Sequence, residues 1–219
     1  MPFNVARRSL ALLVLAAIPF AMSCQSAYFA TMEKFGVHKR DILVDRVQDG
    51  REDQHQAKEQ IQKTLDVFKE LTGFDGGDLE DMYERLKEEC ELSEDRANDV
   101  RDRIDSIESV GRALFKEWEE EIGEMESTEL RRRSQEMLAD TKTRYSALIS
   151  KMQDAEEKMD PVLKTFSDHV IFLKHSLNAQ AIASLRDTAL QIEDDVSALI
   201  ADMQIAIDEA DMFIAAMDG

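Results

Sequence analysis

The sequence predicts an all-α protein: an elongated, antiparallel, up-down helical bundle or coiled coil of about four long helices. Three observations carry that expectation. Helix breakers are scarce: after Cys24 there is one proline, Pro161, and the few glycines include a cluster at Gly73, Gly76 and Gly77. Runs of β-branched residues and alternating patterns that would build strands are absent. Steps of four and three along the chain land on apolar residues over long stretches, while the positions between are mostly charged, which is the pattern of a heptad seam.

The first seam, Leu43, Val47, Gly50, Gln54, Ala57, Ile61, Thr64, Phe68 and Leu71, is the weakest. The second is the most regular: Leu79, Tyr83, Leu86, Cys90, Ser93, Ala97, Val100, Ile104, Ile107, Gly111, Leu114 and Trp118. Leu138, Thr141, Tyr145, Leu148, Met152, Ala155, Met159, Val162, Phe166, His169 and Leu173 make the third. The fourth runs through Ala189, Ile192, Val196, Leu199, Met203, Ala206, Ala210, Phe213 and Met217.

The interruptions fall between seams. "GFDGGD" (73–78) reads as a turn, with Asp78 as N-cap of the second helix. In "GEMEST" (123–128), Gly123 is a stop and Ser127 or Thr128 a new cap, and Asn178 is placed to end the third helix. Near-equal pieces of roughly 40–50 residues joined by short turns must fold back antiparallel. At 1.5 Å per residue each would be roughly 60–70 Å long. Pro161 lies within the third seam without shifting its register, and predicts a bend or short break at 159–161, with Asp160 as its cap.

Charge narrows the partners. The chain carries 27 Lys and Arg against 46 Asp and Glu, a formal −19. Loss of residues 1–23 would remove Arg7 and Arg8 and no acid, leaving 25 basic and 46 acidic side chains, or −21. Such a surface repels phosphate backbones and offers no basic face to anionic lipid, so nucleic acid is not an expected partner. Acid–base pairs four apart (Glu59–Lys63, Asp99–Arg103, Glu108–Arg112, Glu129–Arg133, Asp154–Lys158) read as solvated helix faces. Arg131, Arg132 and Arg133 at a predicted helix start oppose the dipole there, and read first as an intramolecular salt-bridge patch and second as a contact for an acidic partner.

The N-terminus gives an address. Met1–Arg8 is short and basic, Leu10–Phe20 is an apolar stretch of signal-peptide length, and Ala21-Met22-Ser23 has the small-x-small form of a cleavage site. Two readings remain open for Cys24: first residue after an ordinary cleavage, or the acylated cysteine of a lipobox. The lipobox normally carries a larger apolar residue where Ala21 stands. A cysteine directly after a cleavage motif nonetheless favours lipidation, and Gln25 in place of Asp points to the outer membrane. The expected organisation is a lipoprotein-type signal peptide, 1–23, and one helical domain, 24–219. The second cysteine, Cys90, falls on a seam and reads as a small buried hydrophobe rather than half of an intermolecular bridge.

Reaction chemistry is not evident. Glu52-Asp53-Gln54-His55 contains one Glu-x-x-His, a quarter of a di-iron bundle site, but no second copy occurs and Gln54 rather than Glu52 lies on the seam. His38 with Asp41 and Asp45 could share a face and chelate weakly, though a solvated charged face is the simpler reading. His169 on the third seam reads as a satisfied core or rim histidine before a ligand. No catalysis, cofactor or metal is expected.

Two segments, "MEKFGVHKRDILVDRV" (32–47) and "FLKHSLNAQAIASL" (172–185), resemble the hallmark segments of a bacterial family known as domain of unknown function (DUF) 2959. The resemblance extends over nearly all of the chain after the signal segment. It implies an exported, all-helical envelope protein and supplies no catalytic residues. His38, Lys39, Arg40 and Asp41 match the first segment and are carried over as a candidate interaction surface.

The functional expectation is a lipid-anchored periplasmic coiled-coil structural or interaction module, with the membrane as one partner and an envelope protein as another. A chaperone-like helical clamp is the alternative and a metal-dependent bundle enzyme a third. Whether the four seams satisfy one another or leave a stripe for a second copy stays open at this level.

Overall fold

The computed structural model describes residues 38–73 and 78–218. The chain divides between Lys39 and Arg40 into two units, and of the first only His38 and Lys39 are among the described residues. Residues 1–37, with Cys24 and the signal segment, lie outside them, as do residues 74–77 of the predicted turn.

Every described element is helical: α1 (Lys39–Thr72), α2 (Leu79–Glu124), α3 (Thr128–His175), a single short α4 (Ala179–Ser184) and α5 (Arg186–Asp218). The predicted caps at two starts are in place. The Asp78 side chain accepts from the backbone N–H groups of Glu80 and Asp81, and Ser127 accepts from that of Leu130. Each such cap typically contributes about 1 kcal/mol by satisfying donors that have no partner within the helix.

The third predicted boundary differs. Asn178 does not end a helix; it starts one. α3 stops at His175, where the N–H of Ser176 reaches back to the carbonyl of Leu173, and the Asn178 side chain accepts from Gln180 and Ala181 to open α4. The chain then breaks at Leu185 and restarts as α5, so the expected fourth helix is two pieces.

The short break expected at Pro161 is absent: α3 runs through the proline. The proline costs the helix one N–H, which would have served the carbonyl of Glu157, but both residues are exposed, so water can take that carbonyl. The Thr165 hydroxyl donates to the carbonyl of Pro161, and Asp160, the expected cap, instead pairs with Arg101 of α2.

The four long helices pack as a closed antiparallel ring in the order α1, α2, α3, α5. Along α1 and α2, Asp49 and Asp53 meet Arg103, Gln60 meets Glu89, and Glu70 meets Arg85, so partner numbers run in opposite directions. Between α1 and α5, Arg51 pairs with Asp211, Lys58 with Gln204, and Lys69 with Glu193. Lys142 of α3 pairs with Glu119 of α2, and Lys158 of α3 with Asp202 of α5. The diagonal partners α1 and α3 run parallel, with the ring of Phe68 6.2 Å from that of Phe166.

This ring explains the seams. All nine predicted positions of the first seam and all nine of the fourth are buried. In the second seam only Leu79 and Trp118 are half-buried, and in the third only Thr141, Tyr145 and His169. The stripes therefore satisfy one another within one chain. The two polar residues of the first seam fare differently. Thr64 donates to the carbonyl of Glu89 at 2.9 Å and shares a hydrogen bond with Ser93 at 2.8 Å. Gln54 is 0% exposed, and neither its amide nitrogen nor its oxygen has a protein partner.

Two glycines lie at close helix contacts, and only one of them is required there. A Cβ on Gly111 would lie 2.6 Å from the Tyr145 ring, which is held by Phe115 and Phe213 through edge contacts. A Cβ on Gly50 would meet the terminal atoms of Ile107 and Met152 at 2.9 Å each, which can turn aside, and the Arg103 Cγ at 3.2 Å, which must give by a few tenths of an ångström. Helix propensity alone would favour Ala at both sites by about 1 kcal/mol. The expected outcome in chemical denaturation is that Gly50→Ala is near neutral while Gly111→Ala destabilises by about 1–3 kcal/mol through overpacking. Phe68→Ala, which empties a fully buried site, should cost about 3–5 kcal/mol. Pro161→Ala should raise stability.

Candidate functional site

The sequence-predicted surface sits at the start of α1. His38 immediately precedes the helix; His38, Arg40 and Asp41 are exposed and Lys39 is partly buried. Asp41 in the first turn complements the positive end of the helix dipole. Cys24 lies outside the described residues.

A second surface, not foreseen from the sequence, lies within the Arg40–Gly219 unit. The helices were expected to be near-equal, but α2 and α3 span 46 and 48 residues and α5 only 33. The end of α5 reaches the level of Asp140 and Thr141 on α3, so the first turns of α3 and last turns of α2 continue past it as a two-helix hairpin. The hairpin is tied by Trp118, whose indole N–H donates to Ser134 at 2.8 Å, and by Arg131, whose guanidinium donates to the carbonyl of Met125. Leu130 and Met137, one heptad apart on α3, are 59% and 61% exposed. They continue the helical stripe into solvent because no described helix covers that level.

Where α5 stops against the hairpin there is a notch of about 420 Å³. Leu114, Trp118, Met137, Thr141, Ala216 and Met217 line it, with Glu117, Glu121 and Arg40 at its edges. The last turns of α2 are acidic, through Glu119, Glu120, Glu121 and Glu124, and hold no basic residue; α5 also ends without one. Acids at a helix C-terminus oppose its dipole, at roughly 0.3–1 kcal/mol each. Lys142 and Lys116 offset Glu119 and Glu120, whereas Glu121 and Glu124 pair with no described cation. The sequence signal for this site was available in Leu130 and Met137, apolar residues in heptad spacing upstream of the third seam.

The arginine run reads as an intramolecular patch. Arg132 bridges Glu129 and Glu136, and Arg133 also pairs with Glu129. These hydrogen bonds hold the Glu129 carboxyl below its usual range and raise the Arg132 guanidinium above its own. Of the five predicted pairs four apart, Glu108–Arg112 and Glu129–Arg133 form. Lys63, Arg103 and Lys158 instead cross to Glu89, to Asp49 and Asp53, and to Asp202 on other helices.

The other candidates are structural in their surroundings. Glu52 and His55 are both exposed, on the outside of α1, and His55 faces Glu59 at 3.6 Å, so the Glu-x-x-His does not aim into the core. Among the described residues no three His, Cys, Asp or Glu side chains gather as a metal-ligand set. Cys90 is buried and unpaired; burial, reinforced by Glu94, Glu89 and Glu91, pushes its thiol up to about 12, so it stays protonated and unreactive. Burial likewise pushes the Tyr145 phenol up to about 12, with Glu108 adding to it.

His169 stacks against Phe68 with ring centroids 5.3 Å apart. Burial lowers its pKa, and neighbouring Asp168 offsets part of that. Glu89, only 6% exposed, is a buried acid that burial would raise; hydrogen bonds from Lys63 (2.9 Å) and Gln60 (2.8 Å) outweigh this and hold it below the usual range.

Helix order, ring packing and end geometry define a class: a four-helix antiparallel bundle whose central hairpin outruns α5. Within that class the family is clear, since the model of a protein family of unknown function, DUF2959, matches residues 28–217, and the chain belongs to that family. No curated protein and no solved structure matches it. No described helix is long and apolar enough to cross a membrane.

The shifts of His169 and Glu89 both make stability fall in acid. A folded-state pKa below the unfolded one means the unfolded chain takes up more protons, so the contribution is present above the unfolded pKa and lost as pH falls through the folded one. His169 therefore weakens the fold as pH drops below about 6.5, and Glu89 below about 4.3. In denaturation series across pH, His169→Leu should flatten the first decline and Glu89→Gln the second.

Proposed function

We propose that this chain is a lipid-anchored interaction module of the bacterial envelope, held through Cys24 and presenting its helical bundle to a protein partner rather than carrying out catalysis. The observation that carries the reading is the hairpin of α2 and α3, which extends two helices past the end of α5 and leaves Leu130 and Met137 facing solvent. Apolar side chains that continue a buried stripe without a covering helix are the ordinary mark of a contact surface. The bundle's polar groups elsewhere support the same view: most cross-helix cations are committed to ion pairs that hold the ring together.

The address rests on the N-terminal sequence, in which a basic start, an apolar stretch and Ala21-Met22-Ser23 precede Cys24, with Gln25 favouring the outer membrane. His38, Lys39, Arg40 and Asp41 belong to this reading as a surface near the anchored end. The chaperone-like clamp is less well supported, because the four long helices close on one another instead of standing apart as arms.

Growth with labelled palmitate should tag the wild-type protein and leave Cys24→Ala unlabelled; equal labelling of both overturns the anchor. In-cell photo-crosslinking scanned over exposed positions of the bundle should recover the same protein repeatedly. Recovery of nothing above background at any position overturns the interaction module.

A further inference from the structure

Resting on the interaction-module reading, we infer that the notch at the hairpin end is a docking site for a basic amphipathic helix of a partner protein. The notch has two chemically distinct sides. Leu114, Trp118, Met137 and Met217 supply an apolar floor, and one exposed member, Met137, is a soft side chain that can adapt to a guest. Along its edge, Glu117 and Glu121 stand one helical turn apart, and Glu124 extends the same stripe of α2.

Charge selects the occupant. The stripe lies at the negative end of the α2 dipole, no basic residue stands in the last turn of α2 or α5, and among the described residues a single cation, Arg40, lines the notch. A second copy of a chain with formal charge −19 would bring like charge to like charge, and anionic lipid or nucleic acid would be repelled in the same way. A helix suits the space because no described helix lies beside the α2–α3 hairpin beyond the last turn of α5, and an incoming one would continue the stack. Its apolar stripe would cover Trp118 and Met137 while its cations met Glu121 and Glu124.

Trp118 is the only tryptophan in the chain, so the site reports on itself. The full mature chain is titrated with a synthetic Leu/Lys amphipathic helical peptide, with a Leu/Glu peptide of the same apolar pattern as control. The Leu/Lys peptide should bind saturably with a blue shift of Trp118 emission, and the Leu/Glu peptide should produce none. Glu121→Lys and Met137→Ser, both at exposed positions and checked for helicity by circular dichroism, should each weaken binding by about tenfold. Glu157→Lys, an exposed charge reversal far along α3, should change it less than about twofold. Binding without a shift of Trp118, or equal weakening by Glu157→Lys and Glu121→Lys, identifies general attraction to an acidic surface and overturns the site. Self-association through the notch, seen as a blue shift of Trp118 emission with rising concentration of the protein alone, also overturns it. The wider reading is judged separately: crosslinks captured at other exposed positions but not at Met137 would leave the interaction module standing and remove this site.

Discussion

Each long helix of this chain presents one apolar stripe on an otherwise charged cylinder, and none can hide that stripe alone. A single pair of helices would cover only part of each seam. Four arranged in a ring bring all the stripes to a common axis, and the burial of Phe68, Phe166 and Phe213 with the aliphatic layers around them follows from that closure. The remaining features of the described bundle are arranged around the ring. Caps set where helices begin, cross-helix ion pairs occupy the grooves between neighbours, and Gly50 and Gly111 let large side chains from other helices approach α1 and α2.

The polar contacts show how the ring fixes chemistry that the sequence leaves undecided. Lys63 has Glu59 one turn away on its own helix, yet it pairs with Glu89, which is buried and could not keep its charge without a partner. Arg103 chooses Asp49 and Asp53 over Asp99 for a related reason: it lies three-quarters buried between two helices, where a carboxylate across the groove is nearer than one on the solvent face. Such choices depend on which layer of one helix stands opposite which layer of another. That register is set by residues on other helices, far outside one heptad, so local spacing does not reveal it.

What was legible in the sequence is what depends on local period. Heptad spacing located nearly every buried seam residue, and side-chain oxygens before helical runs located the starts at Asp78 and Ser127. Asn178 was misread because the same residue suits a helix end or a helix start, and only the donors it reaches decide between them. The break expected at Pro161 does not form, because its cost depends on which way the freed carbonyl faces, and Glu157 faces water. The hairpin notch was hidden for a different reason. It arises where the last turns of α5 meet α3 at the level of Asp140 and Thr141, and that level is set by how α5 registers against α3, which local spacing does not give.

Heptad seams are nearly self-repeating, which leaves a bundle open to a specific error: a helix docked seven residues out of place would bury almost as much apolar surface as the correct one. Gln54 removes that degeneracy. In the observed register Gly50 stands against Met152, and the next seam positions along the parallel pair α1 and α3 are Gln54 and Ala155, both buried. Sliding α1 by one heptad would set the amide against Val162 or Leu148 instead, and would take Gly50 away from the side chains it admits. A polar residue with no protein partner thus lowers the stability of the native bundle and lowers that of its shifted competitors further. The apparent flaw in the core is what makes one alignment of these helices distinct from the next.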